Sequence, residues 1–120
     1  MTDLPTIVAR IHEQRPGIEL PKMDFFPGVP GAVAPAWRIT VGRESFYVPH
    51  FAAIAIVEAA LWRWLRNSSE WSGRVVVWSR GQWVVAEIGF DDLGFGSDPL
   101  SLIRALCHAA GVELEREDAK

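Results

Sequence analysis

Apolar residues recur at helical spacing in three stretches of the chain. Leu4, Ile7, Val8 and Ile11 share one helix face over residues 3–15, with Pro5 tolerable in the first turn and Pro16-Gly17 closing the segment. Residues 50–66 place Ile54, Val57, Leu61, Trp64 and Leu65 on one side and Ala52, Ala59, Arg63 and Arg66 on the other. A third helix is expected to start at Asp98-Pro99, to carry Leu102, Ile103, Leu106, Cys107 and Ala110 on its apolar face, and to stop at Gly111. The charged tail from Glu113 to Lys120 is expected to fray.

Between these stretches the period changes from helical to alternating. Residues 37–41 and 44–48 flank Gly42-Arg43, where Gly at the first central position suits a type II′ turn. Trp37, Ile39 and Val41 then share a face with Val48, Phe46 and Glu44, and Arg38 and Thr40 lie opposite Tyr47 and Ser45 on a wetter face. The run of residues 74–88 reads as a second hairpin around Arg80-Gly81, pairing Trp78 with Trp83, Val77 with Val84, Val76 with Val85 and Arg74 with Glu87. Both faces of this hairpin are apolar, which implies protein on each side. Five prolines and three glycines within residues 16–35 predict a long irregular loop. The order is α-ββ-α-ββ-α. It predicts an α+β domain over residues 1–120 with a four-stranded, mainly antiparallel sheet covered by helices on both faces.

Composition narrows the class without naming an activity. Twelve Lys and Arg against 15 Asp and Glu leave a formal charge of −3, too little basic excess for a surface that tracks phosphates. Residues 51–65, the most apolar window, are interrupted by Glu58 and Arg63 and fall short of the roughly 20 residues a bilayer requires. Neither a nucleic-acid nor a membrane partner is expected. One cysteine and the absence of a basic, apolar leader in Met1-Thr2-Asp3-Leu4-Pro5 fit a cytoplasmic protein of a host cell.

Ala59-Ala60-Leu61-Trp62 in an apolar helix, Gly81-Gln82-Trp83-Val84-Val85 in a Trp-containing hairpin, and residues 99–106 with Ala109-Ala110-Gly111-Val112 in a helix opening near Pro follow one another within about residues 50–112. In these residues the second half resembles the phage ABA-sandwich domain family. The family's last helix often carries Cys-Arg-Ala, where this chain has Ile103-Arg104-Ala105 with its cysteine later, at Cys107. The resemblance implies a bacteriophage or prophage origin and an α/β/α sandwich. It carries no catalytic residue across.

Candidate chemistry is sparse. His50, Cys107 and His108 would have to converge to form a nucleophilic or zinc site, and Cys107 on an apolar helix face beside a solvent-directed His108 reads as structural. Asp91, Asp92 and Asp98 crowd a glycine-rich connection but miss the EF-hand spacing, and turn formation and helix capping account for them. Gly94-Phe95-Gly96 lacks the Lys and Ser or Thr of a phosphate loop. Glu58 borders an apolar face, where an acid is either a flank carboxylate meeting a donor or a general acid with a raised pKa. No cofactor, metal or catalytic group is assigned.

The stronger candidates are binding residues. Met23, Phe25 and Phe26 sit in a proline-stiffened stretch, residues 21–31, where apolar anchors either dock a partner or fold back over an open sheet edge. Trp62, beside the core stripe, and Trp71, in a serine-rich turn, are the tryptophans expected at the surface. The sequence therefore reads as a small non-enzymatic phage or mobile-element protein that binds another protein, as an inhibitor or regulator of a host system. A small-ligand or hydrolytic domain using Glu58, His50 or the Asp91/Asp92 loop, and a structural homo-oligomer, are the alternatives.

Overall fold

The computed structural model describes residues 3–67, 74–87 and 93–114. Helix α1 is Leu4–Gln14; the Asp3 carboxylate accepts a hydrogen bond from the Thr6 amide at 3.1 Å, and Leu4, Ile7, Val8 and Ile11 are buried as their spacing requires. Two three-stranded antiparallel sheets follow in place of one sheet of four strands. The first, sheet 1, orders β1 (Lys22–Phe26), β2 (Ala36–Val41) and β3 (Glu44–Pro49) as β1-β2-β3. The second, sheet 2, orders β4 (Arg74–Ser79), β5 (Gln82–Glu87) and β6 (Leu93–Gly94) as β4-β5-β6. Helix α2 is His50–Asn67 and helix α3 is Ser101–Ala109.

Strand β1 overturns the reading of residues 16–35 as an irregular loop. The five prolines fall at 16, 21, 27, 30 and 35, so the segment 22–26 keeps all its amide donors and pairs with β2, Met23 opposite Ile39 and Phe25 opposite Trp37. Proline excludes a central strand, and β1 is an edge. Strand β6 was likewise hidden by its glycines; it sets Gly94 opposite Val84 and Leu93 opposite Val85.

Both hairpins have the register that alternation and turn chemistry require. Around Gly42, at φ +61°, Val41 faces Glu44, Ile39 faces Phe46 and Trp37 faces Val48. Arg80 and Gly81 adopt φ +52° and +79°, the two positive values of a type I′ turn, and Trp78 faces Trp83 with ring centroids 5.5 Å apart. Arg74 and Glu87 pair at the far end of this ladder. The expected protein layer over each face of the second hairpin differs in outcome by row. Val76 and Val85 join the core, whereas Val77 and Trp78 are exposed.

The helices join the two sheets. α2 packs against β2, β3 and α3, while α3 packs against β4 and β5, so one core runs from Met23, Trp37 and Ile39 through Val57, Leu61 and Leu106 to Val76 and Val85. The buried stripe of α2 is Ala53, Val57, Ala60, Leu61 and Leu65, with Ile54 and Trp64 only half-buried. A helix apolar on most of its circumference leaves the choice of face to fit, and small alanines permit close approach to a neighbour. α3 begins two residues after Pro99. The Asp98 carboxylate accepts from the Leu100 amide at 3.0 Å, forming a turn ahead of the helix. At its end Val112 donates to the Cys107 carbonyl and Gly111, at φ +78°, to that of His108, a Schellman closure. Glu113, expected to fray, is held: its amide donates to Gln14 Oε1 and Gln14 Nε2 donates back to its carbonyl, both at 2.7 Å. Residues 115–120 lie outside the described residues.

Candidate binding surface

Alternation along β1 separates the residues that the sequence grouped together. Met23 is buried on the inner face of sheet 1 and is a core residue rather than a surface anchor. Phe25, on the same face, is half-buried with its ring centroid 5.0 Å from that of Trp37 and 5.9 Å from that of His50. Trp37 Nε1 donates to His50 Nδ1 at 3.0 Å, and His50 thereby holds the buried indole. Phe26 points the other way and is 42% exposed.

Phe26 belongs to a cluster on the outer face. Its ring lies 5.9 Å from that of Tyr47, and the Arg38 guanidinium carbon stands 5.9 Å from its centroid. Arg38 is oriented by Asp24, to whose Oδ2 it donates from Nη2 at 3.0 Å and from Nε at 3.3 Å. Tyr47 is 66% exposed. An aromatic pair with an oriented arginine is the composition that protein interfaces favour.

The apolar exposure extends around β3. Phe46 is 47% exposed on the inner side, and Val41 beside the turn and Phe51 at the start of α2 are exposed as well. Among the described residues ten large apolar side chains are exposed, and seven of them lie between residues 26 and 51. The sequence had Phe46 and Tyr47 on their correct faces. What it lacked was β1, whose pairing with β2 leaves β3 as an edge among the described residues.

Trp62 is half-buried along a shallow groove with Ala59, Arg63 and Arg66 on α2, and Arg63 also lines a second cleft with Thr40, Val41 and Gly42 of the first hairpin. Trp71 lies outside the described residues, as do Asp91 and Asp92. The residues considered for chemistry do not converge. His50 and Glu58 are eight positions apart on α2, about 12 Å along its axis. Burial pushes the Glu58 carboxyl above its ordinary range, and it has no hydrogen-bond or ion-pair partner among the described residues. Cys107 is fully buried, and burial pushes its thiol up to about 12. His108 is exposed and packs on Phe95, with ring centroids 5.6 Å apart. Asp98 is held below the usual carboxylate range by Arg104, which also donates to the Phe95 carbonyl. No three His, Cys, Asp or Glu side chains gather as a metal site among the described residues, and no described helix is long and apolar enough to cross a membrane.

The chain is thus an α+β protein of three helices and two three-stranded antiparallel sheets among its described residues. No family model, curated protein or solved structure matches it.

Proposed function

We propose that the chain is a non-enzymatic binding protein of phage or mobile-element type that acts on a host protein through sheet 1. One observation carries this reading: the exposed Phe26, Phe46 and Tyr47, with an oriented Arg38, are concentrated on one sheet, while the Cys107 thiol is buried and the Asp98 carboxylate is paired with Arg104. Exposed apolar patches on soluble chains mark interaction sites. The phage attribution rests on the resemblance of residues 50–112 to the ABA-sandwich family.

The test uses the wild-type chain and the double variant Phe26→Ser/Tyr47→Ser as parallel baits in bacterial lysate, with retained proteins quantified by mass spectrometry. A protein held by the wild type and lost from a variant that remains folded supports the reading. Equal retention by both baits, or no retained protein, contradicts it.

A further inference from the structure

The two edges of sheet 1 are protected to different degrees. β1 is five residues long, bracketed by Pro21 and Pro27, carries Lys22 and Asp24, and packs against α1. β3 is six residues long and pairs with β2 without a bulge, and Glu44 at its first position is its one charged residue. Charges, bulges and covering elements are what keep edge strands from adding to another chain. β3 has only Glu44 and Pro49, at its two ends.

Hydrogen-bond parity shows what the edge offers. A two-residue hairpin closes on a pair that exchanges both bonds, here Val41 and Glu44; Ile39/Phe46 and Trp37/Val48 then exchange theirs. The main-chain groups of Ser45 and Tyr47 consequently point away from β2. Pro49 falls where the next outward amide would stand, so the open ladder ends there.

We infer that β3 pairs antiparallel with β3 of a second copy of this chain, on a two-fold axis through Phe46, joining two sheets into one of six strands. This goes beyond the host-binding reading: it gives the β3 edge of sheet 1 to a second copy and leaves the outer face to the host partner. The register follows from the open groups. With Phe46 opposite its own equivalent, Ser45 of each copy exchanges both bonds with Tyr47 of the other. Moving the axis to Tyr47 would set Ser45 against Pro49, which has no donor, and moving it to Ser45 would set Tyr47 against Arg43 in the turn. Charge agrees with this register: Glu44 faces Val48, and the two Glu44 stand four strand positions apart, about 13 Å and beyond the screening length at physiological salt. β4 offers a poorer edge because α3 already packs along it and its outward Val76 is committed to the core. The pairing also places both Phe26/Arg38/Tyr47 clusters on one continuous face, giving the protein two equivalent docking sites for a bivalent partner.

Sedimentation velocity from dilute solution to about 100 μM, a range that separates a micromolar dimer from a monomer, is expected to show a concentration-dependent dimer. Phe46→Lys and Phe46→Glu each set like charges opposite one another and should weaken it at least tenfold, and mixing the two variants should restore a heterodimer. Ser45→Pro removes an outward donor without touching Phe46 and should have the same effect, which keeps the test decisive if a Phe46 variant fails to fold. A wild-type monomer throughout the range overturns the inference, as does a dimer indifferent to Ser45→Pro. A monomer that still retains a host protein through Phe26 and Tyr47 would end the dimer and leave the proposed function standing.

Discussion

In the first hairpin the partner of β2 carries Phe46 and Tyr47 into solvent, whereas in the second the partner of β5 sends Val76 into the core beside Val85 and exposes Trp78. Both hairpins obey the same local rules: a two-residue turn with positive φ, strict alternation, and a register fixed within six residues of the turn. Their uses diverge because of what lies beyond the ladder. α3 packs along β4 and β5, while α2 packs on β2 and β3 of sheet 1 and still leaves Phe46 47% exposed. Local pattern therefore decides which residues share a face, and tertiary cover decides whether that face is core or surface.

The largest expected effect compares the tryptophans of the two hairpins. Trp37→Ala removes a fully buried indole and the donor to His50 Nδ1, and chemical denaturation should show a loss of about 3 to 5 kcal/mol. Trp78→Ala, at the edge of sheet 2 and 54% exposed, should cost only about 1 kcal/mol, mostly from the lost edge-to-face contact with Trp83. Similar losses at both sites would erase the distinction between covered and open rows. Valine gives a smaller form of the same comparison: Val85→Ala should cost about 2 kcal/mol and Val41→Ala less than about 0.5 kcal/mol.

Cys107 sharpens the comparison from the side of the second hairpin, whose cover is α3. If that layer is closed, a thiol reagent labels Cys107 only on unfolding, and Cys107→Ala costs about 1 kcal/mol of packing. The thiol is also expected to mark alkaline stability. Its folded pKa lies above the ordinary 9.0, so its contribution is complete below about pH 9 and is lost as pH rises toward 12. The wild type should therefore lose stability over that interval relative to Cys107→Ala, and parallel melts with pH check this.

The smallest effects lie in the turns. Arg80 holds φ +52° without being glycine, and Arg80→Gly should stabilise by up to about 1 kcal/mol. Gly42→Ala, at φ +61° in the other turn, should destabilise by about 1 kcal/mol or more. Opposite signs from two substitutions at hairpin turns would confirm that the turns, and not the strands alone, hold each register.

Legibility in the sequence followed the range of the interactions. Both hairpin registers, the apolar face of α1 and the placement of Cys107 were readable because each depends on neighbours a few residues away. β1 was not, because Pro21 and Pro27 mask a donor-complete segment between them, and its partners in β2 lie ten to eighteen residues on. That omission propagated into the site. Phe25 and Phe26 looked like one loop motif, whereas adjacent strand positions send one to Trp37 and the other to Tyr47. Trp62, expected at the surface, is half-buried against the core, and the stripe of α2 lies toward Ala53 and Ala60, since periodicity counts apolar positions and packing weighs their size.

Native-state hydrogen exchange resolved by residue tests the central claim most directly, because it reads both hairpins in one sample. The account predicts slow exchange for Val84, an inward-bonded amide of the central strand β5, at every protein concentration. It predicts fast exchange for Ser45 and Tyr47 in dilute solution that slows as the concentration rises and β3 finds a second copy. Protection of Ser45 and Tyr47 that is already high at the lowest concentration would show that the chain covers this edge itself, and would contradict the account.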